Sequence, residues 1–314
     1  VERVPCFQTA GGGIERELSL SDEWGGVWTD LKLKVLKDYL DRFQTALKNQ
    51  AYFNKIYIDA MAGEGIQTLP VEPHLLNAEE SEASQSFRSG SAVVALKTIP
   101  QFDQYKLNER SSSKARTLRK SIQSLGINFA KVEISTDDAN DFIRQTVRGM
   151  CRQDRGVVLL DPWGMQITWD TVCRIAETQH LDMWYLFPTQ AVVRMLPRDG
   201  MPTDAWCNKL DSILGEKDWR DEFYKTVVTN DLFDRNRTET SRQVTFESVE
   251  RYIVGRLRST FKGSCVEQPL RIGRPTNPMF SFCFASGNPS EAAKRLTKTL
   301  STAVISANSV RALK

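Results

Sequence analysis

The stretch "KIYIDAMAGEGIQT", Lys55–Thr68, decides the reading of the fold. It opens as a short apolar segment with aromatic and β-branched residues, which predicts a strand. It then runs into Asp59 and a turn that carries Gly63 and Gly65. Two glycines so close to the carboxyl end of a buried strand fit a plain tight turn. They equally fit a loop that lets a ligand approach the backbone with no Cβ in the way. A lone G-x-G says little, so the rest of the sequence has to separate the two.

Four more apolar segments follow the same plan. "QYKLNER" ends at Glu109, "AKVEISTDD" at Asp137 and Asp138, "RGVVLLDPWG" at Asp161–Gly164, and "LDMWYLFPT" at Thr189. "RGVVLL" is almost continuously apolar, as a strand buried on both faces is. Between them lie helical patterns: "SGSAVVALKTI", capped by Ser89 or Ser91; "SSKARTLRKSIQSLG", stopped by Gly126; "ANDFIRQTVRGMC"; and "TWDTVCRIAETQ". This alternation predicts an α/β protein with a doubly wound, mostly parallel sheet.

Upstream, "TDLKLKVLKDYLDRFQTALKN" has helical spacing at Leu36, Tyr39, Leu40, Phe43 and Leu47, with Thr29 as N-cap. Residues 67–89 read as a long acidic loop with Pro and Ser, a length that in compact domains usually carries function. Past Thr189 the rhythm changes. Residues 191–262 read as a mainly helical insertion, with "FESVERYIVGRLRSTF" in a winged-helix-like or cap element. "CVEQPLRI" and "PMFSFCFAS" then predict a closing strand pair, followed by the helix "SEAAKRLTKTLSTAV". The expected organisation is an N-terminal extension at 1–23, a ligand-binding core at 24–190, the insertion at 191–262, and strands and helix at 263–314 that complete the core.

Bulk properties narrow the class. The 314 residues are 40% hydrophobic, enough for a normal core, and no apolar run reaches the roughly 18–20 residues of a membrane span. The opening "VERVPCFQTAGGG" lacks a basic-then-apolar leader pattern, so a cytoplasmic location is expected. Six scattered cysteines with no C-x-x-C pair, and only His74 and His180, give no metal pattern. The net charge is only +3, but nine basic residues stand against four acidic ones from Arg235 to Arg274. Such a segment either tracks nucleic-acid phosphates or forms a solvated helix face.

In an open parallel sheet, ligands sit outside the carboxyl ends of the strands where strand order reverses. Four predicted strand ends here carry polar or special residues: Asp59 with Ala62, Gly63 and Gly65; Glu109; Asp138 with Ala139; and Asp161-Pro162-Trp163. Their convergence fits S-adenosylmethionine. The glycines admit its amino-acid and ribose parts, and Asp59 holds the loop or the ligand's ammonium. Glu109 accepts from the ribose hydroxyls, and Asp138 accepts from the adenine amine beside a backbone N–H. Taken singly, Glu109 reads as a surface acid and Asp138 as a helix cap. A nicotinamide dinucleotide is disfavoured, because a third glycine is missing and Glu109 lies too far on.

At this point a resemblance enters. "YIDAMAGEG", "NER", "STDDAN" and "LLDPWG" resemble, in order, the motifs of class I S-adenosylmethionine-dependent methyltransferases. More closely, "GGVWTDLKLKVLKDYL", "IDAMAGEG", "GSAVVAL", "LDPWG", "DMWYLFP" and "FSFCFAS" look like the three-Cys-motif partner family, across most of residues 24 to 290. The resemblance implies a Rossmann-like methyltransferase sheet with a closing antiparallel strand, and a protein partner with three cysteines. The family's usual DPFG is DPWG here, and the long acidic loop departs from its pattern.

The "DPWG" turn resembles the turn by which amino-methyltransferases grip an exocyclic base amine. That implies Asp161 and the Pro162 carbonyl as acceptors for the amine, and Trp163 as the stacking ring; alternatively, Trp163 plugs the sheet edge. The expected activity is methylation of guanine N2 or adenine N6 in RNA or DNA. A non-catalytic protein of the same fold acting through a partner, or a methyltransferase for small molecules or proteins, stays open.

Overall fold

The computed structural model describes residues 27–69, 86–229, 237–274 and 276–309. The expected extension at 1–23 and residues 70–85 of the acidic loop lie outside them. Helix α1 (Val27–Leu47) leads into β1 (Asn54–Asp59), the short strands β2 (Ile66–Leu69) and β3 (Ser86–Ser89), and α2 (Ser91–Leu96). Next come β4 (Gln104–Asn108), α3 (Ser112–Ser124), β5 (Val132–Ser135) and α4 (Ala139–Arg148). They are followed by β6 (Asp154–Leu160), α5 (Trp169–Thr178) and β7 (Leu181–Phe187). The later part holds α6 (Thr189–Arg194), α7 (Asp204–Leu214), α8 (Trp219–Phe223), β8 (Tyr224–Thr229), β9 (Arg237–Arg242) and α9 (Phe246–Thr260). It closes with β10 (Leu270–Arg274), β11 (Asn277–Ser286) and α10 (Glu291–Ser309).

Seven strands form the main sheet in the order β10-β11-β7-β6-β1-β4-β5. The pairs β1/β4, β4/β5, β1/β6 and β6/β7 are parallel, whereas β11 runs antiparallel to β7 and to β10. The chain winds outward from β1 through β4 to β5, then returns to β6 on the other side of β1. Strand order therefore reverses between β1 and β6, the position at whose carboxyl ends open α/β sheets bind ligands.

The period-two geometry of strands divides the core into two faces. Ile56, Ile58, Val158, Leu160, Met183, Tyr185 and Phe187 pack with α4, α5, α7 and α9 on one face. Tyr57, Val157, Leu159, Trp184, Leu186, Phe282 and Phe284 pack with α1, α2, α3 and α10 on the other. Neighbouring residues of β1, β6 and β7 alternate between the two clusters, so both faces are dry and the apolar runs need no polar alternation. Among the described residues no helix is long and apolar enough to cross a membrane.

Several local expectations are corrected. The insertion holds the helices α7, α8 and α9, and β8 and β9 add an antiparallel pair that the helical reading did not include; their sequences "YKTVVT" and "RTETSR" carry the Thr and Val that favour strands. Its helices α7 and α9 also bury Leu210, Ile213, Val249, Ile253 and Leu257 in the same cluster as Ile56 and Ile58. The acidic loop begins and ends in the pair β2/β3. Gly90, not Ser89 or Ser91, occupies the N-cap of α2, and Thr29 lies inside α1. Of "CVEQPLRI" only Leu270–Ile272 falls in a strand, with Cys265 making an isolated bridge to Ala285.

Candidate functional site

The carboxyl end of β1 is fixed from inside. Asp59 is fully buried, its Oδ1 accepts from the Met61 N–H at 3.1 Å, and its Oδ2 accepts from the Tyr57 hydroxyl at 3.1 Å. Burial pushes its carboxyl up to about 6, and the charge of Asp161 adds to the rise. Of the two roles expected for Asp59, the structure shows the one that holds the turn. Gly63 and Gly65 then take φ of +65° and +82°, a region that side chains avoid. A Cβ on Gly63 meets nothing within 4 Å, so this backbone faces open space. A Cβ on Gly65 would lie 2.9 Å from Leu118 Cδ1 and 3.2 Å from Ser121 Cβ, so packing of α3 requires that glycine.

Glu109 bridges this turn to α3. Its Oε2 accepts from the Gly63 N–H at 3.1 Å, and its Oε1 accepts from the Ser111 N–H at 2.8 Å. Each oxygen keeps a further lone pair, and the carboxylate is held pointing along the glycine loop. Asn108 was not singled out in the sequence, yet it ties three strand ends together. Its Nδ2 donates to the Ala60 and Asp137 carbonyls, and its Oδ1 accepts from the Asp137 N–H. The buried Ala62 donates its N–H to the Asn108 carbonyl at 2.7 Å.

Asp138 is the N-cap of α4: its Oδ1 accepts from the Asn140 N–H at 2.9 Å and from Asn140 Nδ2 at 3.1 Å. Slight burial opposes ionisation, but the Asn140 and Asp141 donors and Arg110 hold its carboxyl below the usual range. Its Oδ2 lies 3.8 Å from the exposed Arg110 guanidinium. Ala139, the first residue of α4, is buried. Asn140 in turn donates to the Gln166 carbonyl, while Gln166 Oε1 accepts from the Trp163 N–H. These bonds fix the DPWG turn against α4.

Asp161 ends β6 beside Asp59. Its Oδ2 accepts a hydrogen bond from Lys32 Nζ of α1 at 2.5 Å, and both side chains are largely buried. Oδ1 has no partner among the described residues. Lys32 was missed in the sequence, although the quoted "GGVWTDLKLKVLKDYL" contains it. Trp163, by contrast, is 75% exposed and does not plug the sheet edge. Lys114 Nζ of α3 lies 5.8 Å from its ring centroid, within cation–π range. Asp59, the glycine turn, Glu109, Asp138 and Asp161 thus share one rim, joined by hydrogen bonds through Asn108, Asn140 and Gln166.

The expected basic segment is partly neutralised inside the molecule. Arg256 pairs with Glu216, Arg258 with Glu267, and Arg271 with Glu247 and Glu250, while Arg242 donates to the Val193 carbonyl. Arg251 and Lys262 are exposed and have no ion-pair partner among the described residues; Arg235 lies outside the described residues.

Fold and rim together define a doubly wound α/β protein with a Rossmann-like, mostly parallel sheet whose strand order reverses between β1 and β6. No family model and no curated protein matches the chain. Among solved structures it is similar to a Legionella pneumophila protein of the family model DUF519, at 14% identity and a TM-score of 0.37, covering 81% of this chain and 97% of that one. It is also similar to an S-adenosylmethionine-dependent methyltransferase from Clostridium acetobutylicum, at 10% identity and a TM-score of 0.35, covering 80% and 92%. A third is a putative methyltransferase from Streptococcus mutans in complex with SAH, at 12% identity and a TM-score of 0.28, covering 60% and 86%. At these identities and scores the likenesses carry no argument about activity.

Proposed function

We propose that this chain is an S-adenosylmethionine-dependent methyltransferase acting on an exocyclic nucleobase amine, guanine N2 or adenine N6, in RNA or DNA. The observation that carries the reading is one carboxylate, Asp161, with one oxygen held by Lys32 and the other without a partner among the described residues, on the same rim as the open Gly63 backbone and Glu109. The residues fit the cofactor. Gly63 offers a face that a side chain would fill, Glu109 is pre-aimed by two N–H donors, and Asp138 keeps Oδ2 free of the cap. When bound, the cofactor supplies an activated methyl group on sulfonium sulfur.

The chain's own residues do the positioning. Asp161 Oδ1 accepts an N–H of the acceptor amine, with the Pro162 carbonyl as second acceptor, and this orients the nitrogen lone pair. Lys32 holds the carboxylate fixed beside the buried Asp59. Trp163, exposed and flanked by Lys114, with Arg110 on the same rim, offers a base-stacking ring among cations. A base in a duplex has to be flipped out to reach it, at a few kcal/mol. Arg251 and Lys262 offer additional backbone contacts.

The test is calorimetric titration with S-adenosylmethionine, followed by transfer of labelled methyl to RNA and DNA. Binding that is lost in Glu109→Gln, and label recovered in purine amines, are the expected results. Absence of binding, or binding unaltered in Glu109→Gln, overturns the cofactor assignment. One observation favours a second reading, a non-catalytic protein working in the cytoplasm through a partner such as one with three cysteines: Asp161 already holds an internal amine. Cofactor binding without transfer to any nucleic acid points there.

A further inference from the structure

At the opposite end of the sheet from the rim, a cleft of about 420 Å³ opens between the amino ends of β1, β6 and β7. Tyr52, Arg152, Arg155, Gln179, His180 and Asn288 are among its lining residues, and among the described residues no acidic side chain lines it. The nearest acid, Asp154, is turned away: it is buried, bonded to Asn54 Nδ2 and the Cys151 N–H, and it lines a neighbouring cavity instead. Two guanidiniums therefore face the cleft without an opposing carboxylate in its wall.

Their donors are available. The Arg155 guanidinium lies 4.3 Å from the Phe53 ring centroid and spends only Nη1 on protein acceptors, the Arg152 and Asp154 carbonyls. The exposed Arg152 side chain has no partner among the described residues. His180 Nδ1 is buried with no hydrogen-bond partner. Burial and the two arginines hold the imidazole below its ordinary range, although Asp154 opposes them. Asn288 and Pro289 lead into the amino end of the 19-residue helix α10, whose dipole adds positive potential. Tyr52 meanwhile leaves its ring 66% exposed, with Phe53 packed on its edge.

We propose that this cleft binds a nucleotide unit, with the phosphate on Arg152 and Arg155 and the base against Tyr52. The ring gives a flat apolar platform and the guanidiniums give forked donors for phosphate oxygens, a pairing that inorganic anions exploit only in part. The cleft's volume is in the range of small-ligand sites. The site lies about 20 Å from Asp161, the length of β6, so it is separate from the methyl-acceptor rim.

The chain has only two histidines, so imidazole NMR signals report the cleft directly once a His180→Gln variant has assigned them. Adenosine monophosphate is expected to move the His180 signals and raise its titration midpoint, because a bound anion offsets the repulsion from both guanidiniums. Arg152→Gln, at an exposed side chain that the fold does not use, is expected to weaken the effect at least about fivefold. Saturation by the mononucleotide identifies a free nucleotide as ligand; a response only to single-stranded RNA of about ten residues identifies chain phosphates. Both outcomes support the site. Unmoved His180 signals at about 10 mM of either probe overturn it, as does inorganic phosphate acting as strongly as adenosine monophosphate.

Discussion

Lys32 Nζ, on the second turn of α1, lies 2.5 Å from Asp161 Oδ2 at the end of β6, although 129 residues separate them in the chain. The helix that carries the lysine is anchored by Val35, Leu36, Tyr39, Leu40 and Phe43, all buried, so the ammonium is delivered to a fixed place. Without it, the Asp161 carboxylate loses the donor that fixes its orientation. Lys32→Met is therefore expected to lower methyl transfer at least about tenfold. Lys32→Arg should restore most of it, and cofactor affinity should hardly move. Equal losses in both variants would show that the lysine only packs.

The two glycines of the turn are expected to fail in different ways. At Gly63 an added methyl meets no atom, so Gly63→Ala costs only the strain of a positive φ, about 1 kcal/mol, while intruding on the face offered to the cofactor. At Gly65 the methyl drives into Leu118 and Ser121, so Gly65→Ala adds a packing cost of about 1–3 kcal/mol to the same strain. Calorimetry should show the greater loss of cofactor affinity in the first variant, and urea unfolding the greater loss of stability in the second. The reverse ranking would remove the cofactor from Gly63.

Legibility in the sequence followed the physics of each element. The parallel strands were readable because their residues are buried on both faces, which writes continuous apolar runs such as "VVLL". The acids at strand ends were readable because an ionisable residue breaks such a run. Lys32 was not, for a definite reason. It stands four residues before Leu36 and eight before Leu40, on the core-facing stripe of α1, but a lysine at the edge of a stripe looks like its solvent boundary. Asn108 was hidden in "NER" by the more conspicuous Glu109, since one amide that satisfies three backbone groups on two loops leaves no local pattern. The β8/β9 pair was lost between helices because its polar strands carry little hydrophobic signal.

Two buried carboxylates give the fold a pH signature. Asp59 and Asp182 are both pushed up to about 6 by burial, and Asp182 accepts the Tyr39 hydroxyl at 2.7 Å. An unfolded aspartate titrates near 3.9, so between about pH 4 and 6 the folded state holds protons that the unfolded state releases. These groups therefore make stability fall as pH rises through that window and level off above it, by at most about 3 kcal/mol each. Asp182→Asn keeps an acceptor for Tyr39 and removes the charge. Urea midpoints at pH 5 and pH 8 should show the variant gaining on the parent at pH 8. A difference that does not change between the two pH values would mean that Asp182 ionises freely in the folded protein.

Trp163 separates the acceptor side of the site from the cofactor side. The residue is 75% exposed, with the Lys114 ammonium 5.8 Å from its ring centroid, so Trp163→Ala should alter stability by no more than about 0.5 kcal/mol. The Trp163 N–H bond to Gln166 Oε1 belongs to the backbone and survives the change, so the turn keeps its shape. Cofactor binding should match the parent. Stacking of one base on an aromatic ring is worth about 1–3 kcal/mol, so nucleic-acid methylation should fall by about tenfold or more, chiefly through KM, and Trp163→Phe should recover part of it. If Trp163→Ala methylates RNA and DNA as well as the parent does, the exposed ring does not receive a base, and the stacking role proposed for Trp163 falls.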